Sequence, residues 1–144
     1  VDEIDAFGGL DEGEVVAGST RLRKSGDELW MERAGENQSG RLLPVHGTPA
    51  PDIEGAYHSA ELDATLDIVA AGGVLYGAFR GFLGQGEMHQ LIPFAEDIWL
   101  LPCPRALDFG APGDWTLRVE RGAGGPTGLR IGCWLARDVA FARR

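Results

Sequence analysis

GAYHSAELDATLDI, residues 55–68, is the stretch of this sequence that decides the fold class. From Leu62 onward apolar residues take every second position, with Asp63, Thr65 and Asp67 between them. A period of two is that of a strand with one buried face and one solvent-exposed face. The stretch therefore predicts an amphipathic strand at the start of a β-barrel, with the intervening polar residues on the solvent side.

Short segments of the same kind follow to the end of the chain, each ended by turn residues. About eight candidate strands can be counted, as an up-and-down barrel requires. Antiparallel meanders of this kind close on themselves, which removes their free edges. The predicted fold is therefore all-β, with an antiparallel up-and-down, lipocalin-like, eight-stranded barrel over residues 54–144. The predicted strands are Ala56–Ser59, Leu62–Ala70, Val74–Phe79, Met88–Phe94, Ile98–Pro102, Trp115–Arg121, Gly128–Trp134 and Asp138–Arg143.

Residues 1–50 predict an incomplete antiparallel sheet. The first fourteen residues are acidic and interrupted by glycine, which is typical of an irregular start. Three strands are predicted after them, the first two joined by a Ser-Gly-Asp turn and the third limited by Pro44. A sheet this small needs another layer on its apolar face, so we expect a remnant of a preceding barrel domain. The three predicted strands are Val15–Lys24, Glu28–Arg33 and Gly40–His46.

Composition and charge exclude several classes of protein. The chain has 144 residues, 44% of them hydrophobic, and a formal net charge of −9. Such a chain can form a core, whereas its charge disfavours nucleic-acid partners. Its apolar runs are all shorter than the roughly 20 residues of a membrane span, so no membrane partner is expected. The basic cluster Arg21–Lys24 predicts the exposed face of a strand, and Cys103 and Cys133 are predicted to be buried free thiols.

The sequence lacks the motifs of hydrolytic and metal chemistry. It contains no Ser-x-x-Lys, Gly-x-Ser-x-Gly, His-Glu-x-x-His, Walker loop or Cys-x-x-Cys. The histidines, at positions 46, 58 and 89, have no ligand-like spacing, so neither a metal nor a cofactor is expected. Neighbouring residues of a strand point to opposite faces, so Tyr57-His58-Ser59 is predicted to form the first wall of the barrel, with no catalytic cluster.

Two connectors are long enough to carry function. Arg80–Glu87, RGFLGQGE, has glycines that would let its backbone approach a ligand or another domain. Arg105–Asp114, RALDFGAPGD, places two apolar residues between Gly and Pro turns, and an exposed apolar loop tip usually has a partner. The alternative in each case is an ordinary long turn with a tucked-in aromatic ring. The candidate residues are Arg80, Phe82, Gln85, Glu87, Leu107, Asp108 and Phe109.

Two segments carry a resemblance to a known family. Residues 55–65, GAYHSAELDAT, resemble the G-x-Y-x-S-x-E-L-D-A-x opening of the C-terminal barrel of D-aminopeptidases, which are serine β-lactamase-like, penicillin-recognising hydrolases. Residues 127–143, TGLRIGCWLARDVAFAR, are similar to the last two strands of that barrel. In that family the catalytic serine, lysine and tyrosine lie in a separate N-terminal domain, and this chain offers no positions that match them. The resemblance therefore implies a non-catalytic barrel that packs on the catalytic domain.

The resemblance also implies partners. A loop of the last barrel would reach the catalytic cleft and limit its substrates, which would be short D-amino-acid peptides or amides bound by the parent hydrolase. Either Asp108 or Glu87 would then accept the free amine of the substrate. A homodimer is a further possibility. No leader follows Val1, which favours the bacterial cytoplasm over the periplasm.

Two rival functions stay open. A barrel of about eight strands can enclose one small ligand, and the chain offers large side chains for its interior at Leu66, Ile68, Phe79, Phe94 and Trp115. The same residues suit a filled core. The other rival is a purely structural or dimerisation domain.

Overall fold

The computed structural model describes residues 13–81, 86–102, 114–133 and 136–144. Within these ranges the regular structure consists of β-strands and one 3-10 helix, Ala34–Glu36, so the all-β prediction is confirmed. The chain divides into two compact units, and the division falls between Val45 and His46.

The first unit is a four-stranded antiparallel sheet whose strands follow one another in sequence. The predicted Glu28–Arg33 strand is confirmed. The predicted Val15–Lys24 strand is wrong as a single element, because the chain reverses at Gly18, where φ is +61°, and Ser19. The third predicted strand starts earlier than expected and ends before Pro44. The strands are β1 Gly13–Ala17, β2 Thr20–Ser25, β3 Glu28–Arg33 and β4 Gln38–Leu42.

The two faces of this sheet differ in character. Leu22 of β2 lies opposite Met31 of β3, and both are buried on one face. On the other face, Arg23 lies opposite Trp30, and both side chains are exposed. The prediction that the basic cluster lies on an exposed strand face is confirmed for its arginines, because Arg21 is exposed on this same face.

The second unit is an antiparallel barrel. Its strands are β5 Gly55–Ser59, β6 Ala64–Ala71, β7 Val74–Gly81, β8 His89–Gln90, β9 Ile92–Ala95, β10 Ile98–Leu101, β11 Trp115–Gly122, β12 Gly125–Gly132 and β13 Val139–Arg143. They follow the order β8-β7-β6-β5-β13-β12-β11-β10-β9, in which β5 pairs with β13 through His58 opposite Ala142.

Strands β8 and β9 are two halves of one bent segment. Only Leu91 separates them, and its N–H donates to the carbonyl of Leu75 at 2.8 Å. Strand β8 pairs with β7 on one side of the gap, and β9 pairs with β10 on the other. The barrel wall therefore has the eight segments that the sequence predicts. The predicted inward position of Phe94 is wrong: its side chain is 37% exposed. A register shift between β9 and β10, at Ile98 and Trp99, leaves Phe94 as an extra residue without a partner on β10.

The stretch from Gly55 to Ile68 forms β5, a turn and the start of β6. Ala64, Leu66 and Ile68 are buried, as their alternation predicts. Two details differ. Asp63 lies in the turn with φ +45°, and Thr65 is only 6% exposed although its spacing predicts a position in solvent. Its cross-strand neighbours are His58 and Arg80, and Nδ1 of His58 lies 3.4 Å from its hydroxyl oxygen.

Large side chains fill the barrel interior. Leu66, Ile68 and Phe79 are buried as predicted, and Trp115 is half-buried against the same core. Each fully buried side chain of this size contributes roughly 1.5–3 kcal/mol to stability. The largest side chains that are completely enclosed are Tyr57, Phe141, Ile53, Leu66, Ile68, Leu91, Leu101, Leu117, Leu129 and Ile131.

Candidate functional site

Both candidate loops leave the barrel at the same end. The first follows β7, which ends at Gly81, and the second follows β10, which ends at Leu101. Successive wall segments run in opposite directions, so the connections after β5, β7, β10 and β12 all lie at one end, which we call the loop end. At the opposite end the described chain turns within two residues, at 72–73, 96–97 and 123–124.

Arg80 is the first residue of the first loop and is held by a carboxylate. Its Nε donates to Oδ2 of Asp67 at 2.5 Å and its Nη2 to Oδ1 at 3.2 Å, across the β6–β7 pair. The hydrogen bond with Asp67 raises the pKa of Arg80. A bidentate pair of this kind fixes the guanidinium in one orientation. Arg80 therefore anchors the base of the loop.

Of the other predicted site residues, the structure describes only Glu87. Glu87 is described and is exposed where the chain returns toward β8. Phe82, Gln85, Leu107, Asp108 and Phe109 lie outside the described residues.

The base of the first loop, where it leaves the barrel at Gly81 and returns at Gly86, is narrow, and we call it the neck of the loop. Gly81 has φ +106°, and a Cβ at this position would lie 2.5 Å from the carbonyl oxygen of Asp63. On the other side of the neck, the N–H of Gly86 donates to the carbonyl of Phe79 at 2.9 Å. Only glycine combines this backbone conformation with so close an approach of another backbone segment.

Three aromatic rings form a floor beneath the loop end. The ring centroid of Phe79 lies 5.3 Å from that of Trp115 and 5.9 Å from that of Phe141. Phe79 lies two positions before Gly81, and Trp115 is the first residue of β11, where the second loop returns. Tilted and edge-on contacts at these distances are favourable beyond the area they bury. The aromatic floor thus gives both loops a rigid base.

The residues Tyr57-His58-Ser59 form a barrel wall, as the sequence predicts. Tyr57 and Ser59 are fully buried, whereas His58 lies on the outer side with its Nδ1 3.4 Å from Oγ1 of Thr65. The hydroxyl of Tyr57 donates to the carbonyl of Ile53 at 2.9 Å, and burial raises the pKa of Tyr57. The three side chains do not converge on one point, so they form no catalytic cluster.

Cys133 and Asp138 shape the fourth connection at the loop end. Cys133 is buried and free, as predicted, and its N–H donates to the carbonyl of Ala136 at 2.7 Å. Cys103 lies outside the described residues. Asp138 has φ +53° and accepts bidentate hydrogen bonds from Arg130 at 3.1 and 2.7 Å.

The opposite end of the barrel is closed by the segment that precedes β5. Arg121 donates to both carboxylate oxygens of Asp52, at 2.7 and 2.9 Å, and through Nε to Asp97 at 2.6 Å. The hydrogen bond from Arg121 lowers the pKa of Asp52. Nearby, Nη2 of Arg143 donates to the carbonyl of Glu54 at 2.6 Å. The sequence carries no signal for this cluster, because Asp52 and Arg121 are 69 positions apart.

The described part of the chain contains neither a group of metal-ligand side chains nor a membrane-spanning helix. None of the described His, Cys, Asp and Glu side chains gather in groups of three or more that would hold a metal ion. Nor do the described ranges contain a helix with the length and apolar character needed to cross a bilayer.

Comparison with known proteins identifies the family. The family model described as "D-aminopeptidase, domain B" matches residues 5–142. The chain is 52% identical over 122 residues to a D-aminopeptidase of Gluconobacter oxydans (strain 621H), a match that covers 82% of this chain and 23% of that protein. It is 44% identical over 131 residues to a D-aminopeptidase of Brucella anthropi, covering 90% of this chain and 25% of that protein. The D-aminopeptidase of Brucella ovis is 43% identical over 133 residues, with 92% and 26% covered.

This chain spans about a quarter of the length of the curated relatives it matches. The family model nevertheless covers almost all of it, and runs through both the four-stranded sheet and the barrel. On these matches, the chain belongs to the D-aminopeptidase domain B family.

Proposed function

We propose that this chain is the non-catalytic accessory part of a D-aminopeptidase-like serine hydrolase, and that one loop at its loop end restricts the substrate cleft of the parent enzyme. The observation that carries the proposal is the exit of both candidate loops from one end of the barrel, above the aromatic floor. A rigid base of this kind suits a loop that must hold its position against another domain.

The absence of catalytic motifs from the sequence supports an accessory role. The chain has no Ser-x-x-Lys and no Gly-x-Ser-x-Gly, and it spans about a quarter of its relatives. A nucleophile with its activating base must therefore come from elsewhere in the parent. The partner we propose for the loop end is the N-terminal catalytic domain of a β-lactamase-like parent, and residues 1–50 and 54–144 are proposed as the two domains of this chain.

The proposed mechanism is steric exclusion. A loop over the cleft leaves room only for short substrates, such as D-amino-acid amides or short D-peptides, and rejects longer ones. The pairing of Arg80 with Asp67 and the narrow neck at Gly81 would fix the direction of the first loop. Glu87, which is exposed at the end of that loop, or Asp108 in the second loop would accept the free amine of the substrate.

The rival function of small-ligand binding has less support. Phe79 contacts both of the other rings of the aromatic floor, and the largest interior side chains are completely enclosed. A barrel whose interior is filled by its own side chains has no space for a ligand inside. A homodimer of the parent is compatible with the accessory role and is proposed with it.

The proposal can be tested by shortening each loop in the full-length parent. Residues 82–86 and residues 106–113 are replaced, one loop at a time, by Gly-Ser. For each variant kcat/KM is measured with D-alanine amide and with a D-alanine tetrapeptide. We expect one replacement to raise the tetrapeptide-to-amide ratio of kcat/KM at least tenfold, because the barrier to longer substrates has been removed.

The matched control replaces Ala123 and Gly124, which form a turn at the opposite end of the barrel, by the same Gly-Ser pair. This change should leave the ratio unchanged. If neither loop replacement alters the ratio, the cleft-restricting role is wrong. If the unmodified chain hydrolyses D-alanine amide on its own, the non-catalytic role is wrong.

A further inference from the structure

The exposed face of the four-stranded sheet carries a groove of about 260 Å³. Trp30, on the central strand β3, lines this groove and is 40% exposed. Cross-strand pairing places Arg23 of β2 on one side of Trp30 and Arg41 of β4 on the other. We call this surface the Trp30 face, and it consists of Glu14, Arg21, Arg23, Glu28, Trp30, Glu32, Ser39 and Arg41.

Most charges on the Trp30 face already have a partner. Arg21 is 3.8 Å from Glu14, and Arg41 is 3.3 Å from Glu28. The carboxylate of Glu28 also accepts from Nε1 of Trp30 at 3.5 Å.

Two charged residues of opposite sign on this face form no ion pair within the described part of the chain. Arg23 and Glu32 both line the groove, and neither forms an ion pair with any part of the chain that the structure describes. Arg23 lies directly opposite Trp30, and Glu32 lies two positions further along β3. The groove therefore presents an indole, a guanidinium and a carboxylate, of which the two charged groups have spare hydrogen-bonding capacity.

Tryptophan and arginine are the residues that most often dominate the energy of protein interfaces, especially where they are packed together. Trp30 is 40% exposed between Arg23 and Arg41, so residues of these two types lie side by side at the centre of the face.

We propose that the Trp30 face is the docking surface for a segment of the parent polypeptide that lies outside this chain. That segment presents a flat apolar side chain to Trp30, a carboxylate to Arg23 and a basic side chain to Glu32. The inference rests on the proposed function, since it requires the longer parent, of which this chain spans about a quarter. It concerns a different surface from the loop end.

The size of the face favours a tethered partner over a second copy of the chain. Four strands about 4.8 Å apart and about six residues long make a face of roughly 400 Å². Stable separate partners bury about 800 Å² each. A segment of the same polypeptide needs less area, because tethering gives it an effective concentration in the millimolar range.

Hydroxyl-radical footprinting with mass spectrometry tests this inference without any mutation. Oxidation of Trp30 is measured in the full-length parent and in this chain alone. We expect Trp30 to be oxidised at least fivefold more slowly in the parent. Trp99 is the internal control, because it is buried in the barrel and should be protected equally in both samples.

The charge requirement is tested with Arg23→Glu in the parent, which should bring the oxidation rate of Trp30 back toward that of the chain alone. Arg144→Glu is the control, because Arg144 is an exposed arginine outside the Trp30 face and the same charge reversal there should change the rate by less than twofold.

Equal oxidation of Trp30 in the parent and in the chain alone would overturn the inference. So would protection in the chain alone that rises with concentration together with a doubled mass by light scattering, because the occupant would then be a second copy. An exposed Trp30 in a parent whose loop replacement still changes substrate preference would refute only this inference and leave the proposed function standing.

Discussion

Gly81→Ala tests whether the neck of the first loop is as constrained as its geometry indicates. The backbone φ of +106° is strained for any residue with a side chain, and the added Cβ would lie 2.5 Å from the carbonyl oxygen of Asp63. The contacted atom belongs to the backbone, so it cannot rotate away as a side chain would. Gly73 provides a matched control, since it has φ +80° but no heavy atom within 4 Å of the point that a Cβ would occupy.

The two substitutions share the conformational cost and differ in the steric cost. An alanine held in a left-handed or similarly rare conformation costs about 1–3 kcal/mol. Forcing an extra carbon into a filled space costs typically about 1–3 kcal/mol more. We therefore expect Gly81→Ala to lower the free energy of unfolding by about 2–6 kcal/mol, and Gly73→Ala by about 1–3 kcal/mol.

Thermal and urea unfolding of both variants, followed by near-ultraviolet circular dichroism, measures the difference. For a domain of this size each kcal/mol corresponds to about 4–8 °C in Tm. Gly81→Ala should thus unfold at least about 4 °C below Gly73→Ala. Equal melting temperatures would refute the reasoning, because the contact with Asp63 would then carry no energetic cost.

Three further outcomes are expected from the described contacts. Phe79→Ala should cost about 3–5 kcal/mol in urea unfolding, because it leaves a cavity in the aromatic floor; a loss below about 1 kcal/mol would show that the floor collapses freely. Tyr57→Phe should cost about 1–2 kcal/mol, since the buried carbonyl of Ile53 loses its donor, and an unchanged urea midpoint would contradict the hydrogen bond. The pKa of Asp52 is lowered by Arg121 in the folded state, so the stability it contributes is present above the ordinary carboxyl pKa of 3.8 and is lost as pH falls through the lower folded value. The urea midpoint of Asp52→Asn should therefore lie below that of the unmodified chain at about pH 6 and equal it near about pH 2, and a difference that persists at the lower pH would contradict this linkage.

The barrel could be predicted from the sequence because its information is local. Alternation from Ala64 to Ile68 gives the buried face of β6 directly, and short connectors give the meander. The bend at Leu91 could not be predicted, since it depends on the carbonyl of Leu75 and on two different partner strands. Nor could the register shift between β9 and β10 be predicted, which leaves Phe94 without a partner and exposed.

The candidate site was predictable in position but less so in detail. Loop length and glycine content indicate where the connectors lie, and strand alternation brings them to one end. The role of Arg80 was not predictable, because its partner Asp67 becomes a neighbour only when β6 pairs with β7. The cluster around Arg121 and the Trp30 face depend likewise on pairing between strands, which no local period encodes.

The pairing of β5 with β13 has a consequence for the kinetics of folding. Arg143 contacts the carbonyl of Glu54, 89 positions earlier in the chain, so the wall of the barrel cannot be completed during synthesis until its last strand has been made. Before then β5 and β12 each expose an unpaired edge, and such edges recruit strands from other chains. Contacts between residues so distant in sequence also slow folding, typically to milliseconds or seconds. Pairing of β13 with both β5 and β12 removes these two edges in a single step.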